Sequence, residues 1–240
     1  MLRYRITLAI VIALLSAVAW FLPQLRKDLI KDIITWDAPK GEPAPMPGGT
    51  GPGLAPVART RVVLIDGLTA DVAKTLPTWT ALCKRGVTLE VDVGFPTISL
   101  PVEVALWSGM TQQQTGFVFR DRRPLVPPLA HGIPSQVRSV AVAEYHGWIV
   151  RSLGFTQTEP PSDPQNVAKD ADAEAWKTQW EERALAAVTS DAPLAFVHIL
   201  RVDSVGHKHG IGAEYLRVAA EADVILGNLV AADPAARWFA

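Results

Sequence analysis

Val62-Val63-Leu64-Ile65-Asp66-Gly67 is the stretch on which the fold turns. The run from Thr60 to Ile65 is short, apolar and β-branched, bounded by Arg59 before it and Asp66-Gly67 after it. That pattern reads as a strand buried on both faces, as in a parallel sheet. Downstream, Thr69 to Lys84 has helical spacing, with Val72, Leu76, Trp79 and Leu82 or Cys83 on one side, and Pro77 kinks or splits it. Val87 to Val93 alternates as a second strand. Leu100 to Met110 reads as a helix, with Pro101 early enough that its missing N–H costs nothing. Thr111 to Pro134 is a polar, proline-rich excursion placed where it could shape a pocket. Val137 to Ala143 is a third strand, followed by a turn at His146-Gly147 and a short helix toward Leu153. Asp170 to Thr189 is an amphipathic helix with Trp176, Trp180, Leu185 and Val188 as its buried markers. Leu194 to Leu200 is a fourth strand, Ala213 to Ala231 a further helix, and Ala235 to Ala240 opens another apolar run. Strand and helix in this rhythm predict an α/β fold: a mostly parallel sheet with helices on both faces.

The 240 residues suit one domain plus an attachment segment, and 49% hydrophobic residues are enough for a sizeable core. A net charge of −1 gives no broad attraction to nucleic acid. Cys83 is the only cysteine, so an intrachain disulfide and a cysteine-rich metal site are both excluded. There is no internal repeat and no glycine-rich phosphate loop.

Residues 1–23 form a targeting element. Arg3 and Arg5 precede an apolar run broken only by Thr7 and Ser16. As a signal peptide, Ala17-Val18-Ala19 supplies a small-x-small cleavage site. As an anchor, Ile6 to Leu22 gives seventeen residues, the short end of what crosses a bilayer, with Trp20 and Phe21 at the interface. The bulk of Trp20 and the continuation of the run past Ala19 favour the anchor; Arg26, Lys27 and Lys31 put positive charge on the far side as well. Either way the domain is expected outside the cytoplasm, periplasmic in a bacterium, or secreted after cleavage. Residues 24–57 then act as a spacer. Leu25 to Trp36 has the pattern of a short amphipathic helix, and Asp37 to Pro56 carries six prolines and five glycines, a linker composition. The domain proper is 58–240.

Three positions carry chemistry. Asp66, at the carboxyl end of the first strand, fits a cation ligand or a plain turn or cap residue, and taken alone the second role is favoured. Ser99, between Pro96 and Pro101 before a helix, could face a bound phosphate or simply cap the helix, as could Thr97. Asp203 and His207, four apart after the fourth strand, present a carboxylate and an imidazole to one divalent metal from a single turn, with Gly206 and Gly210 allowing close backbone approach. The competing role is a polar loop in which the histidine satisfies a neighbour. His209 points elsewhere, and His131, His146 and His198 lack matching partners and read as structural.

Together these segments resemble the alkaline phosphatase superfamily, and most closely its nucleotide pyrophosphatase/phosphodiesterase branch. The resemblance rests on Val62 to Asp66, on Pro96-Thr97-Ile98-Ser99-Leu100-Pro101, on Ser108-Gly109 and Thr115-Gly116, and on Asp203 to Gly210 as Asp-x-x-Gly-His-x-x-Gly. It spans about Thr60 to Ala240. It implies a two-metal phosphoryl-transfer site with Ser99 as nucleophile. Asp66 and Ser99 would hold one divalent ion and Asp203 and His207 the other, both expected to be zinc. A phosphate-ester small molecule is the implied substrate. The Cys-x-Pro-x-Arg motif of the sulfatase branch is absent, which argues against sulfate esters. Two departures stand out. Val102, followed by Glu103, occupies the place of the family's phosphate-binding Asn. The family's remaining ligands, on a Ser-Asp-His-Gly segment and a later His, would fall past Ala240. The chain is therefore expected to be the N-terminal part of such a domain, its site incomplete here or finished by a second polypeptide. A non-catalytic anchored module and a transferase of phosphorylated head groups to envelope polymers are the alternatives.

Overall fold

The computed structural model describes residues 2–34, 57–94, 97–115, 128–129, 136–159 and 171–240. Five strands form one all-parallel sheet: β1 (Thr60–Ile65), β2 (Ser139–Ala143), β3 (Gln157–Glu159), β4 (Leu194–Ile199) and β5 (Arg237–Phe239). Their order is β3-β2-β4-β1-β5. The helices are α1 (Leu2–Ile34), α2 (Ala70–Ala73), α3 (Pro77–Arg85), α4 (Ser99–Ser108), α5 (Gln112–Thr115), α6 (Gly147–Ser152), α7 (Ala171–Thr189), α8 (Arg201–His209) and α9 (Ala213–Ala232). The apolar runs of β2 and β4 are buried along their whole length, as strands covered on both faces must be.

Alternation along the strands feeds two cores. Val63, Val197 and Ile199 face one side, packed with Trp180 and Val188 of α7 and Tyr215 and Leu226 of α9. Phe196, Ala141 and Ala143 face the other, with Leu100 and Val104 of α4 and Ile149 and Val150 of α6. There Phe155 stacks on Phe196 at 5.5 Å, and Trp107 meets both rings edge-on. Helices therefore cover both faces. The connection leaving β1 passes beyond β4, and the connection leaving β4 passes beyond β1. The carboxyl ends of this central pair are the usual location of sites in open α/β sheets.

The opposite end of the sheet is tied by Arg61. Its buried guanidinium donates to the carbonyls of Val188 (2.6 Å), Ala192 (2.8 Å) and Ser190 (2.9 Å), and pairs with buried Asp233 at 3.1 Å. An otherwise costly buried charge is thus fully partnered.

Several sequence expectations need correction. Residues 87–93 form no strand: Val87, Leu89 and Val91 all lie exposed. Alternation alone does not bring the segment into the sheet: β1 pairs with β4 and β5, and β2 with β3 and β4. β3 was not foreseen; at three polar residues it has no apolar signature. Pro77 splits the 69–84 segment, serving as the first residue of α3, whose Thr78 and Trp79 N–H groups are capped by buried Asp223 at 2.9 Å each. Leu185 lies on the exposed side of α7. A separate amphipathic helix at 25–36 is replaced by continuation of α1 through Pro23 to Ile34. That costs one intrahelical hydrogen bond, since proline has no N–H. The Pro/Gly linker at 37–56, Phe95-Pro96, Gly116 and His131 lie outside the described residues.

The segment Arg3–Leu29 of α1 is long and apolar enough to cross a membrane, and none of it is buried against the domain. A signal sequence at the N-terminus has the same properties.

Candidate functional site

Asp66 leaves β1 into the turn at Gly67, whose φ is +71°. A side chain at Gly67 would meet Asp203 Cα at 2.5 Å, so the absence of a Cβ lets the β1 turn press against the first turn of α8. Tyr215 of α9 locks this contact. Its hydroxyl donates to the Gly67 carbonyl at 2.7 Å and accepts from the Thr69 N–H at 2.8 Å. Glu144, just past β2, fixes α8 from the other side: its carboxylate accepts from the N–H groups of Leu200 and Arg201, both at 2.9 Å, and from Arg201 Nε at 2.8 Å.

Ser99 is the first residue of α4, and no side chain caps that helix; Ile98 holds the cap position. The hydroxyl lies against the Asp66 carboxylate and contributes to holding it in its charged form. Ser99 and Asp203 also line one small depression together with His146 and Trp148. His146 sits in the left-handed region at φ 52° and accepts from Trp148 Nε1 at 3.2 Å.

Asp203 and His207 do come together on one turn of α8, at 3.3 Å, with His207 largely exposed. Among the described residues, no third His, Cys, Asp or Glu joins them in a compact group. Asp66 instead gathers two residues that sequence reasoning passed over. His198 Nε2 lies 3.7 Å from Asp66 Oδ2 and 3.1 Å from Glu103 Oε1. His198 is fully buried and Glu103 nearly so, at 1%. Of these two, His198 reads from sequence as structural, and Glu103 only as the neighbour of Val102 in the place of the family's Asn. The signals were present but weak: one histidine in the apolar strand LAFVHI, and one carboxylate in the apolar helix SLPVEVALWS, four residues after Ser99.

Burial alone would lower the His198 imidazole, but the Glu103 charge and the contacts with Asp66 and Glu103 outweigh it and push it up to about 10. Burial raises the Glu103 carboxyl, only partly offset by His198, with Asp66 adding to the rise. For Asp66, burial acts upward but loses to His198, Ser99 and the Gly67 N–H, so its carboxyl sits below the ordinary aspartate value. The group as a whole holds on to protons, with the charge centred on the imidazole. No protein-family model and no curated protein matches the chain.

Proposed function

We propose that this chain carries the nucleophile side of a metal-dependent phosphoesterase of alkaline-phosphatase-like fold, anchored by α1 with its domain on the extracytoplasmic side. The observation that carries the reading is the position of Ser99. It opens the ten-residue helix α4 with its hydroxyl against Asp66, at the carboxyl ends of the central strands. The start of a helix favours a phosphate, because its N–H groups point outward and its dipole is positive there. Glu103 does not face that anion, being turned inward against His198. The oxygen and nitrogen donors of Asp66, Ser99, Asp203 and His207 suit zinc and similar ions. Such ions, when bound, make a serine hydroxyl more acidic and stabilise charge in phosphoryl transfer. Ser99 Oγ forms the bond to phosphorus while the ester oxygen leaves, and water later cleaves the phosphoserine.

The test uses the full chain in detergent with zinc, inorganic phosphate and aryl phosphate mono- and diesters. Zinc-dependent binding of inorganic phosphate is expected, and any hydrolysis should fall to background in Ser99→Ala. Activity that survives Ser99→Ala removes the nucleophile assignment. A second reading, a non-catalytic anchored module, is favoured by the imidazole lying between the two carboxylates, where it balances their charge by itself. Absence of both zinc-dependent phosphate binding and hydrolysis in the wild-type chain decides for that reading.

A further inference from the structure

We propose that Asp66, Glu103 and His198 form a divalent-cation site closed within this domain, which shares Asp66 with the ligand set that the family resemblance implies but takes Glu103 and His198 from outside it. Its three donors come from three elements: the end of β1, the first two turns of α4, and the next-to-last residue of β4. They converge because β4 is registered beside β1, with His198 opposite Leu64. One ligand atom from each residue lies within 4.8 Å of the others.

The spacing fits an ion. A tetrahedral ion with bonds of about 2.0–2.1 Å holds its ligand atoms about 3.3–3.4 Å apart. The separations of 3.1 and 3.7 Å at His198 Nε2 bracket that value. The hydrogen-bond inventory is the independent observation. Asp66 Oδ2, both Glu103 oxygens and both His198 nitrogens are buried, yet none has a partner in hydrogen-bond geometry. The 3.1 Å contact between His198 and Glu103 is close enough for charge attraction but misaligned for an N–H···O bond. Buried polar atoms in folded proteins are almost always satisfied. Two carboxylates and an imidazole, each with unsatisfied buried atoms and each bringing one ligand atom to a common group, describe a coordination shell better than a proton-sharing pair. One imidazole with two carboxylates suits zinc, cobalt and related ions rather than soft metals.

This inference does not rest on the phosphoesterase reading, because binding of the metal alone tests it. The full chain in detergent, stripped with chelator and carrying His207→Gln to disable the exposed pair, is titrated with Co2+. The expected result is one cobalt per chain, with the visible absorption of a four-coordinate site. Adding Glu103→Gln or His198→Gln should weaken cobalt binding at least tenfold. No uptake, or uptake unchanged by both substitutions, overturns the site. X-ray absorption on the His207→Gln chain guards against variants that fail to fold: one imidazole with oxygen neighbours is expected, and a shell without imidazole overturns the proposal. Cobalt bound at this site by a chain that neither binds phosphate nor hydrolyses esters would leave the inference standing and remove only the proposed function.

Discussion

His198 is the residue on which the site depends, and its environment fixes a pH response. In chelator, its counter-charges among the described residues are Glu103 and Asp66. An imidazole raised from 6.5 to about 10 stabilises the folded state fully below its unfolded value, and that contribution disappears as pH rises through the folded value. The raised Glu103 carboxyl acts in the same direction, while lowered Asp66 matters only on the acid side. The thermal midpoint of the chelated protein should therefore fall between pH 7 and pH 10, and His198→Phe should flatten the decline. A wild-type midpoint that holds steady over that range would mean the imidazole carries no extra proton. The residue scale also explains what the sequence concealed. Asp66 and Asp203 stand next to strand ends, where local pattern alone flags them. Glu103 and His198 sit inside an apolar helix and an apolar strand, and only the pairing of β1 with β4 makes them neighbours.

Among the elements, the start of α8 shows how the fold aims a side chain. Gly67, Tyr215 and Glu144 hold it from three directions, and none of them is a candidate ligand. Gly67→Ala forces a side chain into a left-handed backbone position, at a cost of about 1–2 kcal/mol. It also drives that side chain into the Asp203 backbone at 2.5 Å. The urea midpoint should drop by more than the backbone cost alone explains, and a stability equal to wild type would show that the contact yields freely. β1, β2 and β4 were legible because each is an apolar run bounded by breakers, and β5 because an apolar run opens after Asp233-Pro234. The failures share one cause. Val87, Leu89 and Val91 alternate like a strand, but alternation does not supply a partner, and which segments pair is a property of the assembled sheet. Gln157–Glu159 pairs along β2 through its backbone and carries no side-chain signal.

For the molecule as a whole, α1 decides where the chemistry happens. Its 33 residues reach about 50 Å at 1.5 Å per residue, against a hydrocarbon core of about 30 Å. Trp20 and Phe21 are exposed, as are Leu14 and Leu15 near the middle of the run, and the described part of the domain offers them no cover. Apolar surface of this kind is stable only in lipid or after removal. Cleavage after Ala19 would leave Trp20-Phe21-Leu22 as a new apolar terminus, still joined to a helix that runs on to Ile34. Retention satisfies the whole stretch at once, with Trp20 placed at the interface and Arg26 and Lys27 beyond it. We therefore expect the chain extracted from membranes to keep residues 1–19 by intact mass and to resist alkaline carbonate. Leu14→Arg should shift it toward the soluble fraction, since an arginine at mid-span costs about 2.5–3.5 kcal/mol of insertion. A soluble chain that begins at Trp20 would make the segment a cleaved signal instead, and the domain would then act free of the membrane.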